Sequence, residues 1–279
     1  MAKVLAISSH VVRGHVGLNA AVPALQHLGH EVWPLPTVVL ASRPGLGRSI
    51  GHELPAEALA ALLAALEADG CWASLGAVIA GYFPSAKGVL AAAGAIAAIK
   101  ATAPGLPVLI DPVIGDAGRL YVARSTAEAI RDALLPLATI ATPNLFELSW
   151  LAGSNPHHPA AAAACARLLG PPTVVVTSAL ETASMVATLL VGKDACIERQ
   201  MRWRAGVPNG AGDVFAGLFL GHSLNGCTSE AALDASLADL DRVLAASAGR
   251  EVLELAALDQ GLGGRGNWSQ PGASAKSAL

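Results

Sequence analysis

The chain has little cysteine, little charge, and no uninterrupted apolar run long enough to span a bilayer. Its 279 residues include only four cysteines, Cys71, Cys165, Cys196 and Cys227, far apart in sequence. None shows zinc-ligand spacing, so the thiols are expected to be reduced, buried and structural, as in a cytoplasmic protein. Charged residues make up 14%, with 18 basic against 21 acidic and a formal net charge of −3. The basic residues form no cluster, so nucleic-acid binding gets no electrostatic support. Hydrophobic residues reach 53% and mean hydropathy is +0.51, which calls for a test of membrane spans. Every apolar run is broken by Gly, Pro or a polar residue before roughly 18–20 residues, so none is expected. Met1 to Ile7 runs straight into a strand-like pattern, with no signal-peptide character expected. Also missing are a Gly-x-x-x-x-Gly-Lys-Ser/Thr loop and a Gly-x-Gly-x-x-Gly turn after the first strand, the two commonest nucleotide signatures.

What is present is alternation. Short apolar runs predict strands at 3–7, 31–35, 77–80, 107–111, 138–141 and 173–177. Ala-rich segments between them predict helices at 16–28, 55–69, 85–101, 125–135 with Ser125 as cap, about 145 onward, and 159–169. Residues 185–191 and 195–203 read as an antiparallel pair around a Gly192-Lys193-Asp194 turn, and helices at 211–224 and 229–248 close the chain. This is the pattern of an α/β fold, a mostly parallel central sheet covered on both faces with an antiparallel edge. Residues 1–260 are expected to form one domain, and the Gly/Ser/Ala-rich 261–279 a flexible tail.

The richest stretch is Pro208-Asn209-Gly210-Ala211-Gly212-Asp213, leading into an apolar helix. Free N–H groups and the positive dipole end in the first turn suit a phosphate. A carboxylate beside them suits proton removal from an alcohol, and together they suit phosphoryl transfer. Asp in a first turn also favours the dipole on structural grounds alone. In a parallel sheet, ligands gather at the carboxyl ends of strands. That rule selects Ser8-Ser9-His10, Gly81-Tyr82, Asp111-Pro112-Val113, Thr142-Pro143-Asn144 and Thr177-Ser178. Asp111 and Glu147 offer hard oxygens of the kind Mg²⁺ takes, directly or through water. The same two residues also read as a turn cap and a polar helix face. His10 and His15 without nearby Cys make no zinc site. The run 115–121 reads either as an ordinary surface loop or as a lid, with Asp116, Arg119 and Tyr121 able to meet phosphate or cover a ring.

In this order, the segments resemble the ribokinase-like (PfkB-type) carbohydrate and vitamin kinases, most closely their pyridoxal kinase branch. The likeness rests on Ser9-His10-Val11-Val12 with Gly14-His15-Val16-Gly17, Val32-Trp33-Pro34-Leu35, Gly81-Tyr82 and Asp111-Pro112-Val113-Ile114-Gly115-Asp116. It continues through Thr142-Pro143-Asn144, Glu147-Leu148, Thr177-Ser178 and Gly210-Ala211-Gly212-Asp213, covering about residues 3–245. The resemblance implies a ribokinase-like three-layer α/β/α fold and ATP-dependent phosphorylation of the 5′-hydroxymethyl group of pyridoxal. It implies Asp213 as base, and Gly210, Ala211 and Gly212 as amide donors to the moving phosphoryl group. Asp111 and Glu147 would organise Mg²⁺–ATP, with Thr142, Asn144, Thr177 and Ser178 on the ATP side. Ser9, Val16, Val38 and Tyr82 would shape the pyridine pocket, and 116–122 would be the lid. A monovalent cation such as K⁺ and a homodimer are further implications. The family's Asn-His-Thr-x-Tyr type run is replaced by Ala41-Ser42-Arg43-Pro44-Gly45-Leu46-Gly47. Two hydroxyl partners are lost and a cation arrives at Arg43, placing Arg43 and Pro44 at the substrate and the alcohol preference in question. Alternatives are a related hydroxymethyl substrate such as hydroxymethylpyrimidine, or a non-catalytic B6-binding protein.

Overall fold

The structure, a computed structural model, describes residues 1–43, 45–48 and 50–262. In chain order the strands are β1 (Lys3–Arg13), β2 (Glu31–Ser42), β3 (Gly51–Glu53), β4 (Ala77–Ala80), β5 (Val108–Ile110), β6 (Gly115–Asp116), β7 (Arg119–Leu120), β8 (Ile140–Ala141), β9 (Thr173–Glu181), β10 (Met185–Val191) and β11 (Cys196–Arg202). The α-helices are α1 (Leu18–His27), α2 (Ala56–Ala68), α3 (Ala86–Thr102), α4 (Arg124–Ala129), α5 (Leu145–Ala152), α6 (Pro159–Leu168), α7 (Ala211–Leu224) and α8 (Ser229–Ser247).

Among the described residues, nine strands form one sheet in the order β11-β10-β9-β8-β5-β4-β1-β2-β3. From β9 through β2 every pairing is parallel, while β10, β11 and β3 run antiparallel. The fold is α/β in three layers. One face carries α2, α3, α5 and α6 over a core that includes Leu59, Val89, Ile96, Leu148 and Ala166. The other carries α1, α7 and α8 over a core that includes Leu25, Phe215, Phe219, Leu233 and Val243. Small residues permit this packing: a Cβ on Gly217 of α7 would crowd Ala21 and Ala24 of α1.

Several elements differ from the expectation. β1 and β2 do not stop at residues 7 and 35 but run to Arg13 and Ser42. Pro34, inside the expected strand, and Pro36, just past it, are both tolerated because β3 covers only Val38–Leu40 of β2, so the prolines lie where that side has no partner. The β1–β2 register slips between Ser8 and Ser9, leaving Thr37 as an extra residue. Accordingly Ser9 and His10 are strand residues rather than loop residues, and α1 starts at Leu18, not Val16. Ser125 is not a cap: α4 begins after Ala123, and beyond Ala129 the chain passes through a π turn and a 3₁₀ turn containing Pro136. The four thiols are free as expected, but only Cys165 is buried. Cys71 and Cys227 are half-buried, and Cys196 opens the outer strand on its exposed side. Residues 255–262 form a 3₁₀ segment, and the remainder of the expected tail lies outside the described residues.

Candidate active site

The strand ends β1, β4, β5, β8 and β9 open on the same side of the sheet, as parallel order requires. α7 enters there. Its first residue follows Gly210, which has φ +113° and supplies no capping side chain. A Cβ at Gly210 would strike the His15 carbonyl oxygen. Glycine is therefore demanded twice, by conformation and by the close approach of the β1–α1 loop. Val214 N–H closes onto Gly210 O at 3.0 Å, so the amides before it belong to the first turn and carry the positive end of the dipole. Around Gly212 no heavy atom lies within 4 Å of a Cβ position, so the loop is open on that side.

Asp213 occupies the third position of α7. Its carboxylate accepts from the Gly17 N–H and from its own. Burial nevertheless lifts its pKa to about 6, those amide bonds pulling the other way. Gly17 has φ +56°, and a Cβ there would strike Ser9 O and Oγ. One glycine thus joins the base to the end of β1. Sequence reasoning marked Gly17 only as part of a small-residue run; its amide is a site group, and the one signal was that glycine follows His15-Val16.

Across a narrow cleft lined by Ser8, Gly81, Asp111 and Asp213 lies the second carboxylate. Asp111 follows β5 and is buried. Thr142 Oγ1 donates to its Oδ1 at 2.8 Å. Burial raises its pKa to about 7, the Asp213 charge adds to this, and the Thr142 bond opposes it. Beyond it, Asn144 and Glu147 form a reciprocal capping box on α5: Asn144 Oδ1 accepts from Glu147 N–H at 2.8 Å, and Glu147 Oε2 from Asn144 N–H at 2.9 Å. Glu147 Oε1 accepts from Ile114 N–H at 3.1 Å. The buried Glu147 carboxyl is pushed well above its usual range, first by burial and then by Asp111, against the pull of three backbone amides. Among the described residues no cluster of three His, Cys, Asp or Glu is placed to hold a metal directly. What is present is a pair of buried carboxylates that disfavour each other's charge, which a divalent cation would relieve. Since both Glu147 oxygens are engaged by the backbone, Asp111 is the more accessible donor.

Asn144 Nδ2 donates to Gly115 O at 2.9 Å, pinning the run expected to be a lid. That run is a β-hairpin, β6–β7, with Asp116 opposite Arg119 and Ala117-Gly118 as a two-residue turn. Asp116, Arg119 and Tyr121 are exposed. A bridge between Asn144 and Thr177 continues the β8–β9 pairing to the strand tips. There Thr177, Ser178, Ala211 and Gly212 share a cavity of about 250 Å³ whose inner wall is Phe215, Leu237, Leu240 and Leu244. Ser178 adopts φ +48°, a conformation that costs a non-glycine residue energy and sits at the mouth of this cavity.

On the β1 side, Ser9 and Val38 are register partners. Ser8, one of the strand-end residues the sequence selects, accepts from Tyr82 N–H at 3.0 Å. Thr37, the bulged residue, donates to Tyr82 O at 2.8 Å. Burial, then the Glu53 charge on β3, raises the Tyr82 phenol above its usual range. Val16 is half-buried just before α1. Arg43 is buried, donates to Glu251 O at 2.6 Å, and lays its stem along Gly14. Its guanidinium thereby ties the 41–47 segment to the chain beyond α8. Pro44 lies outside the described residues.

A helix end with open amides and a first-turn carboxylate thus lies opposite a buried carboxylate at a strand end of a three-layer sheet, an arrangement suited to phosphoryl transfer. The profile of the phosphomethylpyrimidine kinase family matches residues 65–253. The chain is 36% identical over 231 residues to pyridoxal kinase PdxY of Corynebacterium diphtheriae, covering 78% of this chain and 80% of that one. It is 37% identical over 250 residues to the pyridoxine/pyridoxal/pyridoxamine kinase of Bordetella avium, covering 87% and 84%. Among solved structures, pyridoxal kinase from Leishmania donovani in complex with ADP and pyridoxamine superposes with a TM-score of 0.87 at 28% identity, covering 95% and 96%. The chain belongs to the pyridoxal kinase family. Among the described residues, no helix is long and apolar enough to cross a membrane.

Proposed function

We propose that this protein transfers the γ-phosphoryl group of ATP to the 5′-hydroxymethyl group of pyridoxal, giving pyridoxal 5′-phosphate and ADP. One observation carries the proposal. Asp213, in the first turn of α7, is oriented by the Gly17 amide and lines the same cleft as Asp111. With a pKa near 6 its carboxylate is ionised at neutral pH yet basic enough to take a hydroxyl proton. Gly210, Ala211 and Gly212 offer N–H groups to the charge on the phosphoryl group in transit. Thr177 and Ser178 flank the phosphates beside the 250 Å³ cavity, which takes the nucleoside. Asp111 and Glu147 hold Mg²⁺, held in place themselves by Thr142 and Asn144. Bound there, Mg²⁺ supplies positive charge against the phosphates. Ser9, Val16, Val38 and Tyr82 face the vitamin ring, with the 41–47 segment and Arg43 bounding it. The β6–β7 hairpin, with Asp116, Arg119 and Tyr121, closes over the phosphates and excludes water. A K⁺-type cation, a homodimeric state and a cytoplasmic location complete the reading. They rest on the family likeness and, for the location, on the free thiols.

A second reading is favoured by one observation: residues 41–47 lack the hydroxyls expected around a pyridine ring, so hydroxymethylpyrimidine is a competing alcohol. Incubation with Mg²⁺ and ATP against pyridoxal, pyridoxine, pyridoxamine and hydroxymethylpyrimidine, with products identified by mass, tests both. Pyridoxal should give the highest kcat/KM. If the pyrimidine alcohol outranks it, the second reading replaces the first; ligand binding with no phosphorylated product would mark a non-catalytic B6-binding protein.

A further inference from the structure

We infer that Trp203 is the platform on which the base of the nucleotide stacks, and that this tryptophan sets much of the affinity for the nucleoside part. The inference rests on the kinase reading above and adds a residue to it.

Along β11 the side chains alternate. Ile197 and Met201 pack on the α7–α8 core, and Arg199, between them on the same face, pairs with Glu230 and Asp234 of α8. Two residues past Met201, the alternation carries Trp203 to that same face. Here, however, α8 no longer covers it. Trp203 remains 42% exposed and forms part of the wall of the 250 Å³ cavity. The same wall holds the amide-bearing residues Ala211 and Gly212, the cations Arg202 and Arg204, and the apolar Phe215 and Leu240. The cavity therefore offers both donors for an anion and apolar surface. A nucleotide presents the matching pair, phosphates and a flat heteroaromatic ring.

Trp203 is held ready. Its backbone N–H donates to Ser184 O at 2.8 Å, one step beyond the β10–β11 ladder. The next residue, Arg204, is clamped to both carboxylate oxygens of Asp241 on α8. With its backbone fixed on both sides, the indole loses little freedom when a ring settles against it. A half-exposed tryptophan in the wall of this chamber gains burial and stacking only when the chamber is filled.

The test uses the full-length protein and three titrants: ADP, ATP and inorganic tripolyphosphate. In the wild type, ADP should change the tryptophan emission. Trp203→Phe should bind ADP within about threefold of wild type by calorimetry but lose most of that emission change, because Trp33, Trp72 and Trp150 line no part of this cavity. Trp203→Ala should weaken ADP and raise KM for ATP about tenfold, leaving tripolyphosphate affinity, KM for pyridoxal and kcat at saturating ATP within about twofold. Wild-type ADP affinity in Trp203→Ala, an undiminished emission change in Trp203→Phe, or equal loss of ADP and tripolyphosphate would each overturn the assignment while leaving the kinase reading in place. A wild-type protein that binds no ADP would overturn both.

Discussion

Asp111 and Asp213 share one cleft, and each is more basic than a carboxylate in water. Burial lifts Asp213 to about 6 and Asp111 to about 7, the charge of Asp213 raising Asp111 further. Proton abstraction needs the ionised form of Asp213, so kcat/KM should rise with pH through this range and level off above it. A profile flat from pH 5 to 8 would contradict this. The same shift has a thermodynamic side. Asp111 has a folded value of about 7 against an ordinary 3.8, so between these pH values the folded state binds the extra proton. Stability contributed by the neutral form is present in acid and lost as pH rises through 7. Asp111→Asn, which keeps an acceptor for Thr142, should therefore stabilise the protein by on the order of 2–4 kcal/mol at pH 8 and by about 1–2 kcal/mol at pH 5, while activity collapses. Urea melts at the two pH values decide it; an Asn variant less stable than wild type at pH 8 would refute the burial argument. The sequence carried these residues plainly, since strand-end carboxylates and the Gly-Ala-Gly-Asp turn are local patterns. It did not carry the role of Gly17, because an amide's partner 196 positions away in the chain leaves no local trace.

Among the elements, those with apolar periodicity were legible and those without it were not. β10 and α7 match the sequence reading end to end. β3 is three exposed residues, Gly51, His52 and Glu53, with no apolar face to betray it. β2 continues past the expected Leu35 through Pro36, a position tolerable only because that side of the strand has no neighbour there. The β6–β7 hairpin was hidden because its turn lacks the usual residues. Both Ala117 and Gly118 have positive φ, at +48° and +80°, where Asn-Gly or Gly-Gly is normal. Ala117 bears strain there, so Ala117→Gly should stabilise the protein by about 0.5–1 kcal/mol. Thermal melts of the unliganded protein measure this; a destabilised Gly variant would show the turn is not strained.

At the level of the whole molecule, the two ends of the chain are interlocked. α1, from residues 18–27, packs against α7, from residues 211–224, over one shared core. β1 meanwhile sits well inside the sheet, between β4 and β2. The base, its amide partner and the anion loop are contributed by these two distant regions, so the site exists only when both are docked. Residues 1–260 should therefore unfold as one unit, with far-ultraviolet and near-ultraviolet circular dichroism giving coincident urea transitions. Two separated transitions would mean independent halves.

The central claim is that the carboxylate at 213 takes the proton during phosphoryl transfer. The direct measurement is the single-turnover rate of pyridoxal 5′-phosphate formation by Asp213→Ala at saturating Mg²⁺–ATP and pyridoxal, beside wild type. The rate should fall by about 10²–10⁴-fold with ADP affinity kept. A rate within a few-fold of wild type would contradict the account.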